Sequence, residues 1–458
     1  MLNKIYSYSP VFIQNLGVSI FGYFWKKRRF GGVFKSELKS FRSRNKFSVK
    51  QWEDYQTTKL RELLVHAFTH VPFYKKKYNS HAIKLKHLEN FKLDQLSTLP
   101  FLEKDELRKF GDSTLMSKTK DSGNYFSSSG STGTPTKIHI SKQVHQKWSA
   151  GFEVRIRNWA GINYKAPRGT IGGRKVVSEG NDNGPYYRYN FIEKQVYFSA
   201  YHISKNTVSN YLEGMIKHKI EYMTGYAMSN FFLARFIEEN GLKAPKLKAV
   251  ITSSEKLTDD MRRTFERVYQ CQTFDSYSGV EMCGLISECK FGSLHISPDL
   301  GVLEILKSNG EYAKPGESGE LVCTGLVNFN QPLIRYKIGD EVTLSTNQKC
   351  ACNIEMPIIK EIIGRVEDTI IGPDGRKIVR FHNIFTNLSK IIKGQIIQHA
   401  INMFEVKLVV SSPLFKNEEK EISNRMISQL GDVNIFINEV PEISKNKNGK
   451  FQSVISKI

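Results

Sequence analysis

The chain has 458 residues, of which 40% are hydrophobic and 24% charged, and its formal net charge is +22. This composition excludes a disordered chain and predicts a folded protein of about three structural units, at roughly 150 residues per domain. A basic balance is typical of proteins that bind nucleic acid, anionic membranes or anionic substrates. We expect no nucleic-acid partner, because no helix-turn-helix, zinc-finger or RNA-binding motif accompanies the charge.

The first predicted element is an apolar, aromatic stretch at residues 11–25, followed by the basic run 26–29. It is shorter than the roughly 20 apolar residues of a spanning helix, and no signal-peptide cleavage site follows it. Two interpretations remain open: a helix docked on the body of the protein, or a helix on an anionic membrane surface. Six cysteines in so long a chain are no disulfide framework, which indicates a reducing cytoplasm. A helix on an anionic membrane surface would place this cytoplasmic protein peripherally at the inner face of the membrane.

Residues 50–115 are predicted to be helical, and a segment of unusual composition follows at residues 125–137. All of its residues except Tyr125 and Phe126 are Ser, Thr, Gly, Pro or Lys. Such a segment can turn backbone N–H groups and hydroxyls toward a bound phosphate. Pro135 stands where a Walker A loop needs glycine, so this is not that motif. A flexible linker is the alternative, but the strand-like alternation after Pro135 favours an ordered turn.

Strands and helices alternate over residues 140–330, which predicts a mostly parallel sheet covered by helices. Ser229 and Thr258 are the expected N-caps of two of these helices. Ligands of such sheets bind at the carboxyl ends of the strands. Short strands with Gly and Pro turns follow, and a small α+β unit begins near residue 365. The predicted class is therefore α/β with a small C-terminal domain.

Three polar segments lie at predicted strand ends: 252–255, 275–281 and 335–340. Asp340 follows a glycine, and an ionised carboxylate there can accept two hydrogen bonds from a ribose diol. Glu281 offers the kind of oxygen ligand that Mg²⁺ prefers. No Ser/His/Asp triad and no paired-carboxylate motif stands out.

Four residues have the chemistry of a structural zinc site: Cys289, His295, Cys350 and Cys352. Three thiolates and one imidazole make a tetrahedral ligand set that suits Zn²⁺. Buried cysteines with a core histidine are the alternative, and Cys283 is a competing ligand. Such a site would tie the loop after Glu281 to the strand-rich segment.

In order and spacing, these segments resemble the adenylate-forming superfamily, and in particular its phenylacetate–CoA ligase-like branch with the CapK-like members of capsular polysaccharide clusters. The quoted motifs are Leu99-Pro100 before a short helix, the serine-rich segment, Tyr277 with Glu281, Gly339-Asp340, Gly364-Arg365 and Gly449-Lys450. The resemblance covers residues from about 100 to 458. Cysteines and a histidine stand in matching places in some members of this branch.

The resemblance implies a role for each of these residues. Phosphates would be held by Ser129, Gly130, Ser131, Thr132, Gly133, Thr134 and Lys137, with Thr132 also catalytic. Adenine would lie along Ser254, Glu255, Ser276 and Tyr277, the ribose on Asp340, and the nucleotide would also meet Arg365. Glu281 would hold Mg²⁺, and Lys450 would enter the site during adenylation. Tyr226 matches an aromatic residue that borders the carboxylate pocket.

The expected architecture is a large adenylation domain over residues 1–362, with a helical segment at 1–50 and a β-rich subdomain at 300–362. A small mobile domain covers 363–458, with a hinge at about 364–368. The implied reaction uses ATP and Mg²⁺ to activate a small carboxylate, with transfer to a thiol such as coenzyme A or to an amine. Three alternatives remain open: a catabolic aryl- or acyl-CoA ligase, a non-catalytic adenylate-binding protein and, least favoured, a nucleic-acid-binding protein.

Overall fold

The computed structural model describes residues 6, 9–127, 136–177, 184–363, 370–373, 375, 377–378, 384–385, 388, 390–443 and 453–458. The chain divides into two compact units. The larger unit takes Met1–Phe126 and Ile138–Gly364, and the smaller takes Ser127–Lys137 and Arg365–Ile458. Among the described helices, none is long and apolar enough to span a bilayer.

Helices of the larger unit lie mainly in the first third of the chain. They are α1 Val11–Phe30, α2 Phe34–Arg44, α3 Val49–His70, α4 Pro72–Ser80, α5 Leu85–Glu89, α6 Lys104–Phe110, α7 Lys142–Phe152, α8 Val208–Lys217, α9 Ala227–Glu239 and α10 Asp259–Tyr269. A 3₁₀ turn at Leu93–Thr98 precedes α6, and a π-helical turn at Glu153–Arg157 extends α7.

Strands up to residue 362 are β1 Gly123–Ser127, β2 Lys137–Ser141, β3 Arg168–Gly172, β4 Tyr187–Asn190, β5 Gln195–Ser199, β6 Tyr222–Tyr226, β7 Ala249–Ser253, β8 Gln272–Ser278, β9 Leu285–Glu288, β10 Leu294–Ile296, β11 Gly301–Leu306, β12 Ser318–Gly325, β13 Tyr336–Leu344 and β14 Ile358–Ile362. β1 and β2 form a two-stranded sheet. The other twelve form one sheet in the order β11-β12-β13-β14-β10-β9-β8-β7-β6-β3-β5-β4.

The centre of this sheet has the predicted parallel arrangement. β5, β3, β6, β7 and β8 run parallel in that spatial order, and helices such as α9 and α10 connect them. Apolar residues on β6 and β7 are fully buried, which is typical of a sheet covered on both faces. The α/β class is confirmed.

The segment that we expected as a β-rich subdomain continues the main sheet. β11 to β14 pair antiparallel with one another, and β14 also pairs with β10, where Leu294 is opposite Ile359. The absence of long helices there was predicted, but the pairing of β14 with β10 depends on residues about 60 positions apart. Local sequence patterns carry no information on such a pairing.

Two helix starts illustrate local and distant capping. The Thr258 hydroxyl accepts a hydrogen bond from the Met261 amide at 3.3 Å, so α10 begins where predicted. α9 begins at Ala227 and not after Ser229, the predicted cap. Its start is capped from elsewhere, because the Glu255 carboxylate accepts a hydrogen bond from the Met228 amide at 2.8 Å.

Gly225, near the end of β6, is expected to be intolerant of substitution. Its φ is +123°, and a Cβ added there would lie 1.8 Å from the carbonyl oxygen of Ile171 on β3. The contact between an added Cβ and the Ile171 carbonyl oxygen, and the positive φ, can be relieved only by separating β3 from β6. Gly225→Ala should therefore lower the free energy of unfolding by about 3 kcal/mol. Urea unfolding monitored by circular dichroism measures this loss. Gly161→Ala, at φ +71° with open space around its Cβ, is the control and should cost clearly less.

The smaller unit has the predicted α+β composition. Its described elements are β15 Ile370–Ile371, β16 Lys377–Ile378, β17 Ile391–Ala400, β18 Met403–Val410, α11 Lys416–Leu430, β19 Asn434–Glu439 and β20 Val454–Ser456. Four of these strands form a sheet in the order β19-β18-β17-β20. The buried face of α11, with Ile422, Met426 and Leu430, belongs to the core of this unit.

Candidate active site

The candidate site lies at the carboxyl edge of the parallel strands in the larger unit. β6, β7 and β8 end close together, since Tyr226 is opposite Ser253 and Ser253 is opposite Ser276. The predicted segments 252–255 and 275–281 therefore lie side by side at one edge, as expected for strands that run in the same direction. The third segment, 335–340, was expected at a strand end but runs into β13, which pairs antiparallel with its neighbours, and Asp340 lies within that strand.

Tyr277 and Asp340 are brought into direct contact. The Tyr277 hydroxyl donates a hydrogen bond of 2.7 Å to Oδ2 of Asp340, although 63 positions separate them. Burial, followed by the charge of Asp340, raises the pKa of Tyr277 far above its usual value, so the phenol stays protonated and donates. The residue predicted beside the adenine, Tyr277, and the residue predicted to hold the ribose, Asp340, are thus hydrogen-bonded to each other.

Glu281 lies next to this pair in sequence and is buried, with 6% of its surface exposed. A Cβ on Gly279 would lie 2.5 Å from Oε2 of Glu281, so the glycine leaves the space that the carboxylate fills. A buried carboxylate is costly unless it is paired with a cation or hydrogen-bonded. The residue type and burial fit a Mg²⁺ ligand, and this role stays a prediction.

The serines predicted beside the adenine make contacts within the sheet edge. Ser276 is buried, and its hydroxyl donates a hydrogen bond of 2.9 Å to the carbonyl oxygen of Thr252 on β7. Ser254 has a φ of +72°, which is rare for a residue with a side chain. The strained turn at Ser254 directs the next residue, Glu255, toward the start of α9.

Replacing Glu255 by alanine should weaken this edge of the sheet. The carboxylate is a charged acceptor at a helix N-terminus, and losing such a cap costs about 1 kcal/mol. The change should appear as a lower midpoint in urea unfolding of the larger unit. Glu239→Ala, at the other end of α9 and bonded at its surface to Arg235, is the control. An equal effect of both variants would contradict a capping role for Glu255.

A carboxylate pair behind the site, with Glu288 buried and Asp275 half-buried, was not found from the sequence. The Asp275 amide donates to Oε2 of Glu288 at 2.7 Å, and Arg262 holds the same oxygen at 2.9 Å. Burial and the neighbouring Glu288 raise the pKa of Asp275 to about 6. Asp275 stood in a quoted motif, but Glu288 lies on a different strand and nothing in its local sequence marks it.

Part of the predicted phosphate loop, residues 128–135, lies outside the described residues, and with it Ser129, Gly130, Ser131, Thr132, Gly133 and Thr134. Lys137, which follows, begins β2 and is exposed. Arg365 and Lys450 also lie outside the described residues. The roles of all these residues stay predictions.

The residues that flank the predicted phosphate loop, just before β1 and on β2, are held by a buried amide cluster that sequence analysis missed. The His139 amide donates to Oε1 of Gln331 at 2.7 Å, and Nδ2 of Asn328 donates to the His139 carbonyl at 2.9 Å. The Asp121 amide donates to Oδ1 of Asn330 at 2.8 Å. Asn328, Asn330 and Gln331 are all buried. Three amide side chains within four residues, just before the Arg335–Asp340 segment, are the signal that could have revealed this support.

Arg335 joins two of the quoted motifs. Its guanidinium makes a bidentate ion pair of 2.9 Å with Glu304 and donates to the carbonyl oxygens of Ser97 and Leu99. Because it is buried and fully engaged, Arg335 is a structural residue. The Leu99-Pro100 motif therefore anchors the segment before the phosphate loop to β13, on which Asp340 lies.

The four predicted zinc ligands are brought together from three places in the larger unit. Cys289 follows β9, His295 lies on β10, and Cys350 and Cys352 lie between β13 and β14. Their ligand atoms all lie within 4.8 Å of one another. The Sγ atoms of Cys289 and Cys350 are 3.5 Å apart, and Sγ of Cys352 is 3.4 Å from Nε2 of His295.

These distances fit a tetrahedral zinc site. With Zn–S bonds of about 2.3 Å and Zn–N bonds of about 2.0 Å, neighbouring ligand atoms are separated by roughly 3.5–3.8 Å. Nδ1 of His295 lies 3.4 Å from the carbonyl oxygen of Met356, an orientation that leaves Nε2 toward the thiols. The competing ligand Cys283 lies elsewhere, since its thiol hydrogen-bonds with Cys323.

The chain is similar to several known proteins. A family model described as the CapK C-terminal domain matches residues 370–457. The chain is 28% identical to Protein CapK of Staphylococcus aureus over the full length of both. It is 26% identical to a phenylacetate-coenzyme A ligase of Pseudomonas putida, over 71% of this chain and 73% of that one. The predicted resemblance to the phenylacetate–CoA ligase-like branch of the adenylate-forming superfamily is confirmed by these similarities.

A solved structure shows the same fold as this chain. It is a 2-hydroxyisobutyryl-CoA ligase in the postadenylation state in complex with R3-HIB-AMP, with a TM-score of 0.58 at 17% identity. The alignment covers 91% of each chain. The predicted fold, with a large N-terminal and a small C-terminal domain, is confirmed. Similarity to curated phenylacetate-coenzyme A ligases supports the predicted class of AMP-forming ligase.

Proposed function

We propose that this protein activates a carboxylic acid with ATP, forms an acyl-adenylate and transfers the acyl group to a thiol or amine. The observation that carries the proposal is the Tyr277–Asp340 hydrogen bond at the sheet edge, with Glu281 buried close by in sequence. An aromatic ring beside a carboxylate offers a nucleoside both stacking and a partner for its ribose hydroxyls. Related chains include CoA ligases, which supports the same chemistry here.

In the first step, a carboxylate oxygen of the substrate attacks the α-phosphorus of ATP. The new P–O bond forms as the bond between the α-phosphorus and the bridging oxygen to the β-phosphate breaks, and pyrophosphate leaves. Asp340 would hold the ribose and Tyr277 would fix the carboxylate of Asp340 in place. Mg²⁺, held by Glu281, would neutralise phosphate charge. The remaining rate enhancement comes from positioning the two reactants.

In the second step, the acceptor attacks the acyl carbon, the bond from that carbon to the AMP oxygen breaks, and AMP leaves. We propose coenzyme A as the first acceptor to test. A solved 2-hydroxyisobutyryl-CoA ligase of the same fold is in complex with 2-HIB-AMP and CoA, which supports this choice. An amine acceptor would give an amide by the same step.

The setting that we propose is surface polysaccharide biosynthesis in the bacterial cytoplasm. Full-length similarity to Protein CapK of Staphylococcus aureus supports a role in capsule assembly. All six cysteines are free, which fits a reducing compartment. We also propose that Cys289, His295, Cys350 and Cys352 bind a structural zinc ion that fixes β10 against the segment before β14.

ATP–pyrophosphate exchange across a panel of fatty, aryl, amino and sugar acids tests the adenylation step. We expect acid-dependent exchange without coenzyme A, and consumption of one class of acid when coenzyme A or an amine is added. Lys450→Ala is the matched variant, and it should lose exchange while keeping its fold. Absence of exchange with every acid, together with normal nucleotide binding, would instead favour a non-catalytic adenylate-binding protein.

A further inference from the structure

The first described helix, α1 Val11–Phe30, exposes an apolar face to solvent and turns polar residues toward the body of the protein. Its exposed face carries six large apolar or aromatic side chains, with Phe12 71% and Phe24 65% exposed: Phe12, Ile13, Leu16, Ile20, Tyr23 and Phe24. These positions recur every three or four residues, so they form one stripe along the helix. The buried residues of α1 are Gln14, Ser19 and Gly22.

The inward face of α1 is held by polar contacts to residues 188–193, which begin within the edge strand β4 and continue past its end. Nε of Arg188 donates to Gln14, the Tyr189 amide to Asn15, the Phe191 amide to Ser19, Lys26 to the Ile192 carbonyl, and Arg29 to Glu193. Gly22 approaches β4 closely, since a Cβ there would lie 2.1 Å from Nδ2 of Asn190. The outward stripe of α1 is therefore not needed to attach the helix.

A helix on a globular protein normally buries its apolar stripe and exposes its polar one. Full burial of one large apolar side chain stabilises a structure by about 1.5–3 kcal/mol, so leaving six in water forgoes a large gain. The α1 stripe thus has the character of a docking surface.

Charge identifies the occupant of this surface. α1 contains no acidic residue, and residues 26–46 contain nine Lys or Arg and one acidic residue, Glu37. Lys27 is exposed close to Tyr23 and Phe24 on the stripe, and Lys35, Lys39 and Lys46 beyond it are also exposed. Each such cation near an anionic leaflet contributes about 1 kcal/mol. A second copy of a chain with net charge +22 would be repelled.

We propose that α1 binds the surface of an anionic lipid bilayer, with its apolar stripe in the interface and its basic end among the headgroups. A helix of 20 residues is about 30 Å long, which suits a helix lying in the plane of the bilayer. This proposal does not depend on the proposed reaction. If α1 binds a bilayer, the larger unit carries out its activity at a membrane surface.

Flotation of the full chain with lipid vesicles tests the proposal. We expect binding to vesicles of phosphatidylglycerol and phosphatidylethanolamine, and at least tenfold weaker binding to phosphatidylcholine vesicles or at high salt. Phe12→Ser/Leu16→Ser/Phe24→Ser should lower the bound-to-free ratio at least tenfold. Ile216→Ser/Phe436→Ser is the matched control, because both residues are more than half exposed but lie outside α1. Lys27→Glu, which removes no apolar surface, should weaken binding to anionic vesicles only.

Circular dichroism and acid-dependent pyrophosphate exchange without vesicles should be unchanged in the triple variant, since its substitutions are exposed. The proposal is overturned if the triple variant and the wild type bind anionic vesicles equally, or if neither binds. It is also overturned if light scattering shows a wild-type dimer that the triple variant converts to a monomer, since the stripe then pairs with a second copy.

Discussion

An Asp340→Ala variant is expected to lower kcat/KM for Mg·ATP in pyrophosphate exchange by about 10²-fold or more. Hydrogen bonds to a charged group contribute about 1.5–3 kcal/mol each, and a ribose diol offers two of them. A loss of about 3 kcal/mol corresponds to roughly a hundredfold change. The variant also leaves the buried Tyr277 hydroxyl without its 2.7 Å acceptor, which adds to the loss. Titration of Mg·ATP at saturating carboxylic acid measures the effect.

Tyr277→Phe separates the two parts of this interaction. It keeps the aromatic ring for stacking and removes only the donor to Asp340, so a loss of about tenfold or less is expected. Asp54→Ala, at an exposed surface pair with Lys50, is the control for removing an aspartate and should have no effect. If Asp340→Ala changed the melting temperature but not the dependence on ATP, Asp340 would be a structural residue and not a nucleotide ligand.

Local features of the fold could be predicted from the sequence because their causes are local. Thr258 caps α10 through an amide three residues away, and the apolar stripe of α11 recurs at helical spacing. The start of α9 was predicted three residues late because its cap, Glu255, comes from a different part of the chain. The joining of β14 to β10 in the main sheet also depends on distant residues, and no periodicity encodes it.

In the candidate site too, residue types could be predicted from local sequence, whereas contacts between distant residues could not. Residue types identified Tyr277, Glu281 and Asp340, and the direction of the parallel strands predicted that residues 252–255 and 275–281 would lie at one edge. Asp340 was expected at a strand end but lies within β13. The contact between Tyr277 and Asp340 required the folded chain, since the two residues lie on strands that are not neighbours in the sheet. Asn328, Asn330 and Gln331 were missed because each buried amide looks the same in sequence as a solvent-exposed one, and only their clustering within four residues distinguishes them.

Removal of the proposed zinc ion should produce the largest loss of stability among these experiments. The purified protein is expected to contain about one zinc ion per chain, because three thiolates and one imidazole complete a tetrahedral shell. Cys350→Ser/Cys352→Ser should reduce the zinc content to near zero. Structural zinc contributes about 10 kcal/mol in zinc fingers, so a destabilisation above roughly 5 kcal/mol is expected here. Metal analysis by mass spectrometry and urea unfolding measure the two effects.

The effect of the metal can be separated from the loss of two thiols. Cys271→Ser is the matched control, since Cys271 is free and does not belong to the Cys289–His295–Cys350–Cys352 group. It should keep zinc and stability, and a chelator should destabilise the wild type and Cys271→Ser but not Cys350→Ser/Cys352→Ser. Because the ion would connect β10 to the segment before β14, its loss should loosen the sheet between Glu281 and Asp340 and raise the KM for ATP. A fully stable, fully active chain without zinc would mean that the four side chains only pack together.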